Sequence, residues 1–328
     1  MSGNYRRFLL FLGVLLFTAG TAAAAVGPRK DAELLLETYA RNVQRLENNS
    51  FGFPMFLDSF ERSDMVNVDV YGVFPFAFPG VAAALASPAT WCDIVSLPPN
   101  VKACTVTDRQ GASLLTFYLG KKVYQAPEDT EHQVVFRYRK VEQQQGYLNI
   151  VLSADSGPYG TRDHTMVFEG VPLDGGKTFV HVSYSYKDSR ALRLAANLYF
   201  ATFGRDKVGF TVTGTTSKGE PVYVGGPRGA LERNAVRYYF AFQSYMNTLR
   251  YPESSRFGMR AGDWYDLTAR FRRQLYDLDR EDYLQIKKKE HENQTALQRR
   301  ISAGGGPKLS AHSPEGVAET RSAGGVDQ

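Results

Sequence analysis

An arginine and a histidine near the start of one predicted strand are the side chains best placed to do chemistry. Met166 and Phe168 occupy the apolar phase of that strand, at residues 164–171. The same alternation, extended backwards, puts Arg162 and His164 on the inner face as well. Burying an unpaired charged group is costly, so both side chains need a partner. Either a ligand supplies it, with Arg162 binding a carboxylate or phosphate and His164 donating to an oxygen, or a core acid or solvent does.

Aromatic side chains with a polar edge share this inner face. They lie in the apolar phases of neighbouring predicted strands and on the apolar side of a late predicted helix. Such rings can line an amphipathic cavity or fill a core, and the sequence leaves both interpretations open. The predicted lining residues are Tyr138, Tyr184, Tyr186, Tyr238, Tyr239 and Phe242. His181, by contrast, falls in the polar phase of its strand and is predicted to be a surface residue.

Established catalytic motifs are missing from the sequence. It has no H-E-x-x-H zinc motif, no G-x-S-x-G nucleophile elbow, no phosphate-binding P-loop and no C-x-x-C pair. Five histidines and two cysteines are too few for a histidine-rich or four-thiolate metal centre, so we expect neither a metal nor another cofactor. If the chain is an enzyme, His164 is the predicted acid–base group.

The composition is that of a folded chain. Of its 328 residues, 43% are hydrophobic and 13% aromatic, which excludes disorder along the whole length. The chain has 39 basic and 34 acidic residues. If Arg6 and Arg7 are removed with the N-terminal segment, 37 basic residues remain and the net charge is +3. So mild a charge does not favour a nucleic-acid partner.

The first 25 residues have the three parts of a secretory signal peptide. Arg6 and Arg7 form a positive start, residues 8–17 an apolar run, and residues 18–25 a small-residue stretch with several A-x-A cleavage sites. The apolar run is shorter than the roughly twenty residues that span a bilayer. We therefore expect the mature chain to be exported, to the periplasm or out of the cell. An uncleaved membrane anchor is the alternative.

Export changes the interpretation of the two cysteines. Cys92 and Cys104 are close in sequence, and an oxidising compartment allows such a pair to form a disulfide. Closing a loop of that size would contribute about 3 kcal/mol of stability in the chain-entropy model. Two buried free thiols are the alternative.

Hydrophobic periodicity predicts a series of strands followed by helices. The gaps between the strands are too short for parallel crossovers and favour antiparallel hairpins. The predicted strands are residues 65–73, 101–107, 113–119, 134–141, 147–154, 164–171 and 178–186. The predicted helices are residues 31–48, one or two short helices within 79–96 that break near Pro88, and residues 190–203, 230–249 and 264–278. A short hairpin of residues 210–212 against 222–224 is also predicted.

This order of elements resembles the START-like (SRPBCC, helix-grip) superfamily. The resemblance covers roughly residues 65–250 and includes Val70-Tyr71-Gly72-Val73-Phe74-Pro75, followed by a helix and Trp91. It implies an α+β fold in which a curved antiparallel sheet wraps around a long C-terminal helix, with a cavity between them. The chain departs from the simplest members by a helix before the first strand and by a helix and glycine-rich hairpin between the last strand and the long helix. The expected fold thus has extra N- and C-terminal helices. The chain looks most like secreted bacterial START-like proteins of unassigned function.

The expected organisation follows from this resemblance and from the composition. It comprises a signal peptide (1–25), an N-terminal helix and extension (26–62), a START-like domain (63–250), a C-terminal helical extension (251–300) and a disordered tail (301–328).

The function expected from the sequence is that of an exported carrier for a hydrophobic or lipid-like small molecule. A cyclase- or hydrolase-like enzyme, and an interaction module that works through its C-terminal helices, are the alternatives. Basic groups at residues 270–273 and 287–289 allow a transient contact with a membrane surface, although neighbouring acidic residues interrupt them.

Overall fold

One large antiparallel sheet organises the chain. A computed structural model describes residues 29–305 except 63, 145, 190–192, 197, 199–201 and 203–205. The order across the sheet is β1-β2-β8-β7-β6-β5-β4-β3, so the predicted six-strand meander from β3 to β8 is confirmed. The strands are β1 (Met55–Glu61), β2 (Met65–Phe74), β3 (Val101–Arg109), β4 (Ala112–Leu119), β5 (His132–Gln144), β6 (Tyr147–Ser156), β7 (Arg162–Leu173) and β8 (Lys177–Lys187).

Helices cover both faces of this sheet and one of its edges. A small hairpin of β9 (Val212–Thr215) and β10 (Pro221–Tyr223) precedes the longest inner helix, shifted by a few residues from its predicted position. The helices are α1 (Arg29–Glu47), α2 (Phe78–Leu85), α3 (Pro88–Val95), α4 (Gly226–Thr248), α5 (Glu253–Ala269), α6 (Arg272–Leu275) and α7 (Arg280–Ser302). The helices predicted at 31–48 and 230–249 are confirmed as α1 and α4, and the break near Pro88 separates α2 from α3.

Strand β1 was not predicted, because its first residues are buried on both faces of the sheet. Met55 and Leu57 face the inner core, whereas Phe56 between them packs under α1. A strand that is buried on both faces does not show the alternation by which half-buried strands are recognised.

Helix α1 closes a second, smaller core on the convex face of the sheet. Leu35 and Leu46 from α1 pack with Phe56, Val171 and Phe179 from the strands. The outward-facing positions of β1, β7 and β8 beneath this helix are therefore buried, unlike those of a sheet whose second face meets solvent.

The inner face of the sheet packs directly against α4. Phe242 of α4 lies between Trp91 of α3 (ring centroids 5.1 Å apart) and Phe168 of β7 (4.9 Å), and all three are fully buried. Tyr239 packs against Phe74, with its hydroxyl over Gly72, where a Cβ would collide with the ring. Ring contacts at this spacing fill the centre of the fold.

The predicted helix at residues 264–278 is wrong in its bounds. Helix α5 begins eleven residues earlier and ends at Ala269, and α6 is a separate turn. The break occurs at Phe271, which leaves helical geometry (φ −110°, ψ 52°) and stacks on Phe240 of α4 at 5.6 Å. The apolar periodicity continues across this break and does not reveal it.

These elements make an α+β helix-grip fold, in which a curved antiparallel sheet holds the long helix α4. Within the described ranges, no helix is both long and apolar enough to span a membrane. The predicted signal peptide and nearly all of the predicted tail lie outside the described residues, as does much of the predicted helix at 190–203.

A disulfide joins Cys92 of α3 to Cys104 of β3, as predicted, with their Cα atoms 4.9 Å apart. Both residues are buried. The bond ties the short helices on the inner face to the edge strand of the sheet.

Replacing both cysteines with alanine should lower the free energy of unfolding by about 3 kcal/mol, because the unfolded chain regains the freedom of the loop. Urea unfolding of the wild type and of C92A/C104A measures the difference. Wild-type protein unfolded in the presence of a thiol reductant should show the same loss. Equal stability of all three samples would contradict a structural role for this bond.

Candidate functional site

A row of side chains crosses the inner face of the sheet near the beginning of β7. Tyr138 of β5 pairs in register with Leu152 of β6, Leu152 with Met166 of β7, and Met166 with Tyr184 of β8. The next inward position on β7 is His164, opposite Ala154. Period-two alternation thus brings Tyr138, His164 and Tyr184, which are far apart in sequence, to one end of the inner face.

The hydrogen bonds of His164 assign its tautomer. Its Nε2 lies 2.8 Å from the Thr161 hydroxyl, which donates its own hydrogen to the Pro158 carbonyl at 2.6 Å. Nε2 must therefore carry a proton and donate to Thr161. Nδ1, 3.0 Å from the Tyr184 hydroxyl, is then the acceptor of the Tyr184 O–H. The Tyr184 oxygen keeps its lone pairs free to accept a hydrogen bond from another group.

Burial keeps this histidine neutral. Desolvation lowers the pKa of His164 to about 4, and the nearby charge of Asp163 opposes this only in part. A tight turn supports the ring, because a Cβ at Gly157 would collide with the imidazole. His164 is a hydrogen-bonded, uncharged group throughout the neutral pH range.

Two further tyrosines complete this end of the inner face. Tyr138 donates to the Ala86 carbonyl at 2.9 Å, at the end of α2. Tyr186 stacks on the His164 ring with centroids 5.4 Å apart. Burial raises the pKa of both phenols to about 12, so they stay protonated. Tyr138, Tyr184 and Tyr186 are half-buried, unlike the fully buried rings deeper in the core. We call Tyr138, His164, Tyr184 and Tyr186 the tyrosine end.

The other predicted lining residues belong to the packed core. Tyr239 and Phe242 are buried in the ring contacts between α4 and the sheet, and Tyr238 is almost as deeply buried. Burial raises the pKa of Tyr238 to about 12. The space that these residues were predicted to line is occupied by their own side chains.

Arg162 was predicted to point inward, and this is wrong. Its side chain is exposed, because the register between β7 and β8 shifts between Arg162 and Thr165. Asp163 at this irregularity has a positive φ of 53° and pairs with Lys187 at 3.2 Å. An extra residue in a bulged strand reverses the alternation beyond it. Only His164 of the two predicted inward groups is buried.

The larger hollows found among the described residues lie elsewhere. One of about 900 Å³ lies between α5 and α7, and another of about 720 Å³ lies beside the C-terminal end of α4. Neither is lined by a residue of the tyrosine end.

His181 was predicted to be a surface histidine and is instead held between two carboxylates on the convex face. Its Nε2 lies 2.9 Å from Asp69 of β2, and its Nδ1 lies 2.7 Å from Glu169 of β7. Tyr147 donates to Glu169, and the Tyr71 ring stacks on the imidazole at 4.4 Å. The sequence signal was available, because all three charged residues lie in the outward phase of their strands. Recognising it requires knowing that β8 lies between β2 and β7.

Opposite effects set the charge of His181. Burial alone would lower its pKa, but the hydrogen bonds and charges of Asp69 and Glu169 outweigh it and raise the pKa to about 9. The pKa values of both carboxyls are lowered in turn, because the imidazolium offsets their burial. The described residues include no group of three or more histidine, cysteine or acidic side chains that could hold a metal ion.

His181 should make stability depend on pH. Its pKa is higher in the folded chain than the ordinary value of 6.5, so its contribution is complete below pH 6.5 and is lost as the pH rises through about 9. The loss amounts to about 3 kcal/mol, from a shift of that size. Urea unfolding should therefore show that the free energy of unfolding falls more between pH 6 and pH 10 in the wild type than in His181→Gln. An equal fall in the free energy of unfolding of both proteins would contradict the charged contact of His181 with Asp69 and Glu169, because every other titrating group is common to the two proteins.

Comparisons with known proteins give similarity of fold and no closer relationship. The sequence matches no protein-family model and no curated protein. Similar solved structures include human StAR-related lipid transfer protein 5, at 11% identity and a TM-score of 0.29, with 54% of this chain and 91% of that chain covered. Zhui aromatase/cyclase from Streptomyces sp. R1128 is 12% identical, with a TM-score of 0.27 and 38% and 70% covered.

A conserved protein of unknown function from Enterococcus faecalis matches over a longer range. It is 8% identical with a TM-score of 0.33, and 81% of this chain and 98% of that chain are covered. At such identities and TM-scores, none of these similarities assigns a ligand or a reaction to this chain. The helix-grip assignment rests on the strand order and on the packing of α4. The fold that the START-like resemblance implied, a curved antiparallel sheet around a long C-terminal helix, is the one observed.

Proposed function

We propose that this chain binds a small amphipathic molecule at the tyrosine end and acts as a carrier, not as an enzyme. The proposal rests on a difference in the burial of aromatic side chains along the inner face of the sheet. Its centre is closed by fully buried rings, whereas Tyr138, Tyr184 and Tyr186 are half-buried, and the Tyr184 hydroxyl is bonded to a neutral histidine. Mostly apolar surroundings with a few fixed polar groups are typical of small-molecule sites.

The polar groups favour an uncharged ligand head group. Tyr184 already donates its hydrogen to His164, so it offers an acceptor to the ligand. The pKa of Tyr184 is raised by burial, which keeps the phenol neutral. Arg162, the cation predicted to bind a carboxylate or phosphate, points to solvent. A hydroxyl or amide donor on the ligand matches Tyr184, and burial of its apolar part supplies roughly 25 cal/mol per Å² of binding free energy.

An acid–base enzyme fits the same residues less well. A catalytic acid or base works best with a pKa near the working pH. The pKa of His164 is lowered to about 4, and both of its ring nitrogens are already hydrogen-bonded. His164 in this state orients Tyr184 and does not exchange protons at neutral pH.

An interaction module is also less well supported. The apolar side chains of the helix predicted at residues 264–278 are not free, because Trp264, Leu267 and Leu275 are buried in the core. Lys287, one of the basic residues predicted to meet a membrane, is buried too. Arg270 and Arg273 lie over the rings of Phe53 and Tyr223, respectively. Contact with a membrane surface stays a prediction.

Export forms part of this proposal. The N-terminal sequence has the parts of a signal peptide, and a disulfide is typical of proteins that work in an oxidising compartment. We therefore place the working protein in the periplasm or outside the cell.

A matched pair of amphiphiles tests the site, namely 1-decanol and decanoate, which differ in the charge of the head group. The wild type should bind decanol more tightly than decanoate. Tyr184→Phe should weaken decanol binding about fivefold, because a hydrogen bond of about 1 kcal/mol is lost. Titration calorimetry measures both affinities.

Tyr159→Phe is the matched control, because Tyr159 is an exposed tyrosine in the turn before β7. It should bind decanol as the wild type does. The proposal is wrong if the wild type binds neither amphiphile, or if Tyr159→Phe and Tyr184→Phe have the same effect.

The state of His164 leads to a second test. With its pKa lowered to about 4, the histidine keeps one charge state from pH 5.5 to pH 8, so the affinity for decanol should be constant over this range. A histidine at its ordinary pKa would titrate inside the range. A several-fold change in affinity with a midpoint near pH 6.5, absent in His164→Gln, would contradict the assignment of a neutral histidine.

A further inference from the structure

Strand β3 is an edge of the large sheet, and its outer side faces helix α7 and not another strand. β3 pairs with β4 on one side only. The exposed backbone groups of an edge strand are a ready template for pairing with a further strand. In this chain they are satisfied by side chains of α7.

Two glutamines of α7 take the place of a neighbouring strand. Gln294 Oε1 accepts from the Cys104 backbone N–H at 2.7 Å, and Gln298 Oε1 accepts from the Val106 N–H at 2.8 Å. Gln298 Nε2 also donates to the Val106 carbonyl at 3.0 Å, so both backbone groups of that residue are engaged. Gln294 and Gln298 are one helical turn apart, and Cys104 and Val106 are two residues apart in the strand. Each glutamine therefore reaches the outward-pointing backbone N–H of one of these two strand residues.

A buried charge network holds the other end of α7 to the same edge. Glu290 of α7 accepts from Lys102 of β3 at 2.9 Å and from Lys287 at 2.7 Å. Lys287 also donates to the Val101 carbonyl at 2.8 Å, and all three charged side chains are almost fully buried. Removing Glu290 would leave two buried ammonium groups without a counter-charge, so this carboxylate holds α7 against the edge.

Apolar contacts complete the attachment. Leu297 and Ile301 of α7 pack against Ala103 of β3 and Tyr118 of β4. The helix thus lies along the edge strand from the turn before β3 to Val106.

We propose that α7 is an edge cap that keeps the chain from pairing, through β3, with a second copy of itself. Cys104 and Val106 are the groups that Gln294 and Gln298 engage, and they are also the groups that a second strand would use. An antiparallel pair of β3 strands centred on Thr105 places Cys104 opposite Val106.

The triple variant E290A/Q294A/Q298A tests this proposal in the full chain. It removes both hydrogen bonds to the edge and the counter-charge that holds α7 against β3, so the helix can leave the edge. Sedimentation and light scattering should show about twice the wild-type mass at concentrations where the wild type keeps its own mass. Gln285→Ala is the control, because Gln285 is exposed and bonds only to Glu281 of the same helix. It should behave as the wild type does.

Amide exchange in the wild type gives a second test that does not depend on a variant. The Cys104 and Val106 amide hydrogens should exchange as slowly as those of β3 that are bonded to β4. Rapid exchange at these two positions would overturn the proposal, since it would mean that α7 does not hold the edge. A folded E290A/Q294A/Q298A protein with the wild-type mass at every concentration would overturn it as well.

Discussion

The packing of α4 against the inner face of the sheet is the constraint on which the rest of the structure depends. Phe242 fills the space between Trp91 and Phe168, and Tyr239 approaches β2 closely only because residue 72 is a glycine. Close-packed rings of this size leave no room for a ligand between helix and sheet. The site proposed for a small molecule therefore lies where the large rings give way to half-buried tyrosines, at the beginning of β7.

Two histidines on opposite faces of the same sheet show how strongly position controls charge. His164 faces inward, bonds to two hydroxyl groups and loses its charge because burial lowers its pKa. His181 is also largely buried, but two carboxylates accept its hydrogen bonds and its pKa is raised. The first arrangement leaves a polar, uncharged surface suited to an amphipathic ligand. The second ties β2, β8 and β7 together beside the helix that covers the convex face.

The sequence predicts most of the fold because half-buried antiparallel strands show their alternation directly. It fails where that alternation is interrupted or where both faces are buried. The bulge at Asp163 turns Arg162 outward, although the pattern extended backwards from Met166 places it inside. One carboxylate partner of His181, Asp69, comes from a strand that is distant in sequence, so the buried contact follows from strand order and not from any local motif. Periodicity also cannot distinguish rings that line a cavity from rings that fill it, as with Tyr239 and Phe242.

Fluorine NMR of protein labelled with 3-fluorotyrosine measures most directly where a small molecule binds. The resonances can be assigned by single Tyr→Phe substitutions, and the labelled protein titrated with a neutral amphiphile. Binding at the tyrosine end predicts that the signals of Tyr138, Tyr184 and Tyr186 shift in a saturable way, while that of the buried Tyr239 stays in place. A shift of Tyr239 with the other three unchanged would contradict it, because the ligand would then have entered the space between α4 and the sheet.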